Sequence, residues 1–297
     1  MGRHNRRSGG HAVINKAVTI GYASIDYPAV LDGYFKSDQT VLIKQRPADA
    51  FPRPGGCPIY VSRPLAASGC HTALVTWVGV DDMAEMFRSR AARDGIDTTG
   101  IAAVDAGVTP MCFMIYQEDG SCCCLFDPGL LGQEALSQAQ SELIRNADLL
   151  GVTVGPPDIG MQAVELIADD AVVAWIAKND PLSYPEALRA ALGKRANYIF
   201  CNAHEREWID AALVGRERPD PLIIETNGPG QVKAEFNGKI EYLDVPRLRF
   251  DDASGAGDTL AGGCLAAIAG GETSARKIAA AGIAASTAML KQRSIED

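Results

Sequence analysis

The chain of 297 residues, 47% hydrophobic and 22% charged, has the make-up of an ordinary globular protein, long enough for one large domain or two modest ones and for a sizeable core. Its net charge of −9 argues against a nucleic-acid-binding surface, and no run of about 18 apolar residues is present to span a membrane. Eight cysteines, at 57, 70, 112, 122, 123, 124, 201 and 264, form no C-x-x-C pair and have no neighbouring histidine set. They read as reduced, mostly buried small apolar residues of a cytoplasmic protein rather than as zinc ligands or disulfides.

In chain order, residues 1–16 come first, with Arg3, Arg6 and Arg7 among Gly, Ser, His and Asn, and read as a flexible basic tail. No apolar leader segment follows it, so secretion is not expected. From 17 to 297 a rhythm sets in of short apolar runs, breaks at Gly, Asp or Pro, and Ala-rich amphipathic segments, which is the pattern of βαβ units in one α/β domain. Strands are predicted at 18–23, 73–78, 148–154, 172–176, 198–201 and 222–225. Helices are predicted at 82–93, 133–145, 159–168, 185–192, 205–213 and 273–290. The near-continuous hydrophobicity of the strands implies a mainly parallel sheet covered by helices on both faces.

Two segments, 25–54 and 108–128, have strand character without helices, and Asp119-Gly120 in the second is a hairpin signal. They are expected to form a small extra sheet. Along Met111 to Tyr116 both alternating sets of side chains are apolar, so both faces of that strand should be covered. A second copy of the chain, in a homodimer, would cover the outer face; a core-facing strand explains the pattern equally well.

The chemistry concentrates near the C-terminus, in Asp252-Ala253-Ser254-Gly255-Ala256-Gly257-Asp258-Thr259, which runs into a helical stretch. Small residues at 255–257 leave backbone N–H groups uncovered where a helix begins, an arrangement that attracts an anion such as a phosphate. Asp258 beside that anion suits a general base acting on a hydroxyl group. The structural alternative is a Gly-rich turn with Asp258 as a helix N-terminal charge, and Asp252 reads equally well as a turn-stabilising residue. Upstream, Asn202-Ala203-His204-Glu205 lies where a strand passes into a helix, the edge at which open α/β sheets bind ligands, although a helix cap explains the same residues. It is not a zinc-protease helix, because Trp208 occupies the second histidine position. Asp26 at the end of the first strand could accept from two adjacent hydroxyls of a sugar, with a plain loop aspartate as the alternative. Gly21-Tyr22-Ala23-Ser24 replaces the G-x-G-x-x-G turn that a dinucleotide oxidoreductase needs, and no P-loop pattern occurs.

The segment 252–258 resembles the C-terminal signature D-T-x-G-A-G-D of the ribokinase, or PfkB-type, family of carbohydrate and nucleoside kinases, with Ala253 in place of Thr. Gly55-Gly56 is similar to the family's N-terminal glycine pair, Gly79-Val80-Asp81-Asp82 to its G-x-D turn, and Asn202 with Glu205 to its N-x-x-E motif. Thr226-Asn227-Gly228-Pro229-Gly230 resembles its T-x-G-x-x-G nucleotide turn with the last glycine one place early. The resemblance spans almost the whole chain and implies a ribokinase-like fold whose two inserted segments form a β lid over the substrate. It also implies ATP- and Mg²⁺-dependent phosphoryl transfer to a hydroxymethyl group of a small sugar. Asp258 would be the base, Gly255, Ala256 and Gly257 the anion hole, and Asn202 and Glu205 would organise Mg²⁺, largely through water. Thr226, Gly228, Gly257 and Ala280 would lie against the nucleotide, and Asp26, Gly55, Gly56 and Tyr60 against the substrate.

Departures bear on the substrate. Ribose-type kinases read G-G-K-G-A-N where this chain reads Gly55-Gly56-Cys57-Pro58-Ile59-Tyr60, so two polar sugar contacts are missing. Tyr60 offers an aromatic face for a nucleobase or sugar, and Pro64 should kink the helix that follows. A nucleoside kinase of the same fold, and a non-catalytic metabolite-binding relative, are the alternatives.

Overall fold

Trp175 and Ile176, adjacent in one strand, are both buried but belong to different hydrophobic clusters, and this pattern recurs across the central sheet. Alternate strand residues point to opposite faces, so a strand apolar at every position must be covered twice. The computed structural model describes residues 14–46, 51–130, 132–228, 230–250 and 252–293. In chain order its elements begin with β1 (Lys16–Ile20), β2 (Ser24–Leu31), β3 (Ile43–Gln45), β4 (Arg53–Gly55), α1 (Cys57–Ala67), β5 (His71–Val78) and α2 (Asp82–Arg93). There follow β6 (Ile101–Ala103), β7 (Met111–Tyr116), β8 (Cys122–Asp127), α3 (Gln138–Arg145), β9 (Leu149–Val152), α4 (Pro157–Leu166), β10 (Val172–Ile176) and α5 (Glu186–Arg195). The chain closes with β11 (Tyr198–Asn202), α6 (Arg206–Leu213), β12 (Leu222–Thr226), β13 (Gln231–Phe236), β14 (Lys239–Asp244), α7 (Ala256–Ala269) and α8 (Ala275–Lys291).

The large sheet has the order β14-β13-β12-β11-β10-β9-β1-β5-β6, parallel from β12 to β6 and antiparallel at β13 and β14. Val18, Leu150, Val173 and Ile199 pack under α3 to α6, with Ile144, Ala163, Leu192 and Ile209 from the helices. Ala17, Leu149, Ala174 and Phe200 face the other way, onto Leu65 of α1, Leu260 and Cys264 of α7 and Ile278 of α8. Because β1 lies between β9 and β5, its neighbours diverge at its carboxyl end, which opens the crevice where ligands of such sheets bind.

The second sheet, β3-β2-β7-β8 with β4 on β2, is built from the two segments expected to be helix-free. Gly120, with φ of 80°, turns β7 into β8 at the Asp119-Gly120 signal. Of β7, Cys112 and Tyr116 are buried, whereas Phe113 is 40% exposed and Leu125 of β8 is 57% exposed. The described residues therefore do not cover the outer face of this sheet.

Other expectations change in detail. The helix expected from 133 starts at Gln138, because Ser137 and Gln140 form a reciprocal capping box and the Gln140 amide donates to the Thr76 and Gly100 carbonyls. Helix α1 runs on through Pro64, whose ring packs against α7 at Gly262, where a Cβ would lie 3.0 Å from Pro64 Cδ. The β13–β14 hairpin was not anticipated; Asn237 and Gly238 turn it with φ of 51° and 71°. All eight cysteines are free, but Cys122, Cys123 and Cys124 are exposed on β8 rather than buried, since β8 is an edge strand with one face on a cleft and the other on solvent. Ile14 is buried and Lys16 opens β1, so the fold already includes the end of the segment read as a tail; residues 1–13 lie outside the described part. Among the described residues no helix is long and apolar enough to cross a membrane.

Candidate active site

The loops that leave the carboxyl ends of β1, β9 and β10, together with the start of α7 and the inner face of the small sheet, enclose a cleft of about 450 Å³. Asp258 and Gly255 enter it from the α7 side, and Asp26 and Gly56 from the β2 side.

Gly255 caps α7 in the left-handed conformation, φ 74°, and a Cβ there would fall 2.6 Å from the Tyr60 ring, so both backbone and packing require glycine. Ala256 opens the helix, but its N–H already donates to the Ala253 carbonyl at 3.0 Å. Of the three residues expected to offer N–H groups, Ala256 is thus engaged in the turn. The Gly257 and Asp258 N–H groups have no acceptor among the described residues and remain available to an anion. No atom lies within 4 Å of where a Gly257 Cβ would be, so the space above the loop is open.

Burial raises the pKa of Asp258 above the ordinary carboxylate range, although Lys178 and the Cys57 thiol beside it pull in the other direction. Lys178 follows β10, reaches solvent through the open cleft, and has no salt-bridge partner among the described residues. Asp252, 2% exposed, is treated differently. Burial alone would raise its pKa, but Arg53 and Arg293 prevail, and with Ser254 and Tyr116 they hold it below the usual range. Arg53 donates to its Oδ2, the Tyr116 hydroxyl to Oδ1 at 2.7 Å and the Ser254 N–H to Oδ1 at 2.9 Å. Arg293 lies 3.5 Å from Oδ2 and donates to the Ser254 carbonyl at 2.7 Å. The turn expected at Asp252 is present, and it also ties β4 and β7 of the small sheet to the loop.

On the substrate side, Asp26 is 3% exposed, accepts from the Ser24 hydroxyl at 2.7 Å, and has its pKa raised by burial. Gly55 packs on that carboxylate so closely that any Cβ would overlap it, and Gly56, φ 96°, passes against the Tyr22 carbonyl in the same way. Tyr60 lines the cleft, yet its ring is packed on Gly255 and covered by the Arg63 guanidinium 4.8 Å from its centroid. It is a support for the loop rather than a free face for stacking. Tyr22 and Phe126, ring centroids 5.4 Å apart, meet across the mouth.

Asn202 and Glu205 do not line this cleft. Glu205, 2% exposed, accepts from the Asn202 N–H at 2.6 Å, the Asn202 side-chain amide at 3.0 Å and the Asn179 N–H at 2.8 Å. Half of the capping-box alternative is therefore realised, and the carboxylate also brackets the loops after β10 and β11. Thr226 ends β12 with its hydroxyl donating to the Cys201 carbonyl at 3.4 Å; Gly228, φ 52°, follows it, and Ala280 is exposed on α8, which packs on β13 and β14. None of the three lines the cleft that holds Asp258. Among the described residues no cluster of three or more His, Cys, Asp or Glu is arranged to hold a metal ion.

Lys178, Arg53, Arg293 and Tyr116 were not singled out from sequence. Lys178 had a readable signal, a charged residue directly after an apolar strand at the ligand edge. The Asp252 contacts had none, being 199 residues distant for Arg53 and 136 for Tyr116.

Comparison with known proteins agrees with this fold. A curated ATP-dependent ribose-1-phosphate kinase of Halopiger xanaduensis is 27% identical over 223 residues, covering 71% of this chain and 72% of that protein. Two solved structures share the fold at 18% identity. One is the nucleoside kinase of Methanocaldococcus jannaschii, an archaeal member of the ribokinase family, with a TM-score of 0.77 over 95% of this chain and 93% of that one. The other is ribokinase of Cryptococcus neoformans var. grubii in complex with ADP, with a TM-score of 0.78 over 93% and 94%. The profile of the pfkB family carbohydrate kinases matches residues 15–297, so the chain, with its helix-flanked, mostly parallel sheet and separate smaller sheet, belongs to that family.

Proposed function

We propose that the protein transfers the γ-phosphoryl group of ATP to a hydroxymethyl group of a small sugar bound between Asp26 and Asp258. The observation that carries this reading is a carboxylate with a raised pKa, placed in one cleft beside two N–H groups free to meet an anion and a lysine without a salt-bridge partner. Asp258 removes the proton from the substrate hydroxyl as its oxygen attacks the γ-phosphorus. The bond from that phosphorus to the β,γ-bridging oxygen breaks and ADP departs. The N–H groups of Gly257 and Asp258 face the charge on the transferring group, and as fixed donors they need no rearrangement. Asp26 accepts from substrate hydroxyls and orients the ring.

Glu205 is too buried, and its oxygens too fully engaged, for direct ligation of Mg²⁺, so this pair fits the metal only through water, with Asn202 the more accessible of the two. When bound with ATP, Mg²⁺ neutralises phosphate charge. Glu205 itself holds the β10 and β11 loops in register. Thr226 at the end of β12, Gly228 just after it and Ala280 on α8 are assigned to the nucleotide.

Two features narrow the acceptor. Cys57 stands where ribose-type kinases carry a lysine, and Lys178 supplies a cation from the other wall, which favours a sugar bearing an anionic group, such as the ribose 1-phosphate of the Halopiger relative. Met114, Phe126 and Val154 make part of the wall apolar and favour a nucleoside as second reading. A non-catalytic binding role is disfavoured by the intact Asp258 loop. An ADP-release screen over ribose, ribose 1-phosphate, hexoses, polyols and nucleosides tests the proposal. Turnover with sugars or sugar phosphates is expected; turnover with nucleosides alone overturns the sugar reading, and no turnover with any overturns both. Sedimentation of the wild type and of a Phe113→Asp, Leu125→Asp variant tests a homodimer through the outer lid face.

A further inference from the structure

The two strands that roof the cleft bring three thiols together. In the β7–β8 ladder Cys112 pairs with Phe126, Met114 with Cys124 and Tyr116 with Cys122, so Cys112, Cys122 and Cys124 share one face. That face is the inner one, because Cys112, Met114, Cys124 and Phe126 line the cleft, whereas Cys123 points the other way. The Cys122 and Cys124 sulfurs are 3.9 Å apart, and both residues are exposed, while Cys112 is buried. We propose that Cys124 is a redox-reactive thiol, that it closes a disulfide with Cys122, and that this bond in the roof of the cleft reversibly stops catalysis. The catalytic half of the proposal rests on the kinase reading above.

The environment favours Cys124 as nucleophile. Hydrogen bonds from the Cys112 and Cys122 thiols, and after them the Lys178 charge, lower its pKa, whereas Cys112 and Cys122 are raised. The thiolate is the attacking species, so Cys124 reacts first. With a low-molecular-weight disulfide such as oxidised glutathione, the Cys124 thiolate attacks one sulfur and expels one glutathione thiolate. Cys122, after losing its proton to solvent, then attacks Cys124 Sγ and expels the second. Two protein thiols are oxidised and one glutathione disulfide is reduced. Residues two apart on a strand have Cα atoms ~6.8 Å apart, at the long end of what a disulfide spans, so the bond is strained and easily reduced again.

The test treats the full-length protein with oxidised glutathione, removes the excess, maps the thiols by peptide mass spectrometry, and measures ADP release before and after dithiothreitol. A Cys122–Cys124 link is expected, with loss of most activity and its recovery on reduction. In Cys122→Ser, basal activity is retained and Cys124 stays trapped as the glutathione mixed disulfide. In Cys124→Ser no link forms, and activity, measured against that variant's own untreated sample, does not respond. Preferential reaction at Cys123 or Cys57, or a linked protein that keeps its activity, overturns the proposal. The mass map does not depend on turnover, so its failure is distinct from a failure of the kinase reading.

Discussion

Asp252 and Asp258 open and close the same loop, the first buried and the second partly so, and the protein drives their pKa values in opposite directions. Two arginines, a tyrosine and a serine keep Asp252 ionised and immobile. Asp258 has burial against it and only a lysine and a thiol in its favour, so its proton affinity rises. The contrast separates two tasks. One carboxylate is saturated with partners and fixes geometry; the other is left under-satisfied and is therefore able to exchange a proton.

The largest effect that sharpens this contrast is expected at Asp258. Asp258→Asn should lower kcat about 10²–10⁴-fold while leaving ADP affinity, read by calorimetry, nearly intact. An unchanged kcat would remove Asp258 from the chemistry. Asp252→Ala should act on stability instead, costing about 3–5 kcal/mol in urea unfolding because Arg53 and Arg293 lose a buried carboxylate. A mild loss would mean that the cluster does not anchor the loop.

The pH dependence divides in the same way. Asp252, with a lowered folded pKa, contributes stability above the unfolded carboxylate range, and that stability is lost as pH falls through the folded value. For Asp258, with a raised folded pKa, the contribution is complete below the unfolded value and is lost as pH rises through the folded one. Asp258→Asn should therefore be more stable than wild type at neutral pH, by thermal denaturation. If Asp258 is the base, as proposed, kcat/KM should fall on the acid side with a pKa above that of an ordinary aspartate. Lys178→Met should move this limb to higher pH, since it removes the charge that opposes the rise; a limb that stays in place would show that Lys178 does not act on the base. The smallest effects separate the glycines. Gly255→Ala should cost about 1–3 kcal/mol through backbone strain against Tyr60, whereas Gly257→Ala should fold normally and raise KM for ATP.

Most of the scaffold could be read from residue patterns, and most of what ties the site together could not. Helix α2 was legible to its ends because Asp81 caps it, with Oδ1 2.8 Å from the Ala84 N–H, and its apolar residues recur at helical spacing. The strands beneath the helices were legible because burial on both faces leaves an apolar run. Strands β13 and β14 were missed because only Val232, Ala234 and Leu243 of them are deeply buried, and the alternation is diluted by exposed charge; the Asn237-Gly238 turn was the signal to use. Asp258 and the glycines were singled out through local motifs and Asp26 through its place at the end of the first strand, and all of them line or adjoin one cleft. Arg53, Tyr116 and Arg293 converge on Asp252 only in three dimensions, and nothing in their own neighbourhoods marks them.

The separation of 199 residues between Arg53 and Asp252 also sets a timetable. At ~5–20 residues per second of synthesis, roughly 10–40 s pass between the emergence of the arginine and that of its counterpart. Strands earlier in the chain can pair within that interval, but the loop that opens α7 cannot be braced by Arg53 until residue 252 has left the ribosome. Fastening of the small sheet to the α7 loop is thus a late event in biogenesis, and a chain cut short before residue 252 would leave Arg53 and Tyr116 without their shared carboxylate.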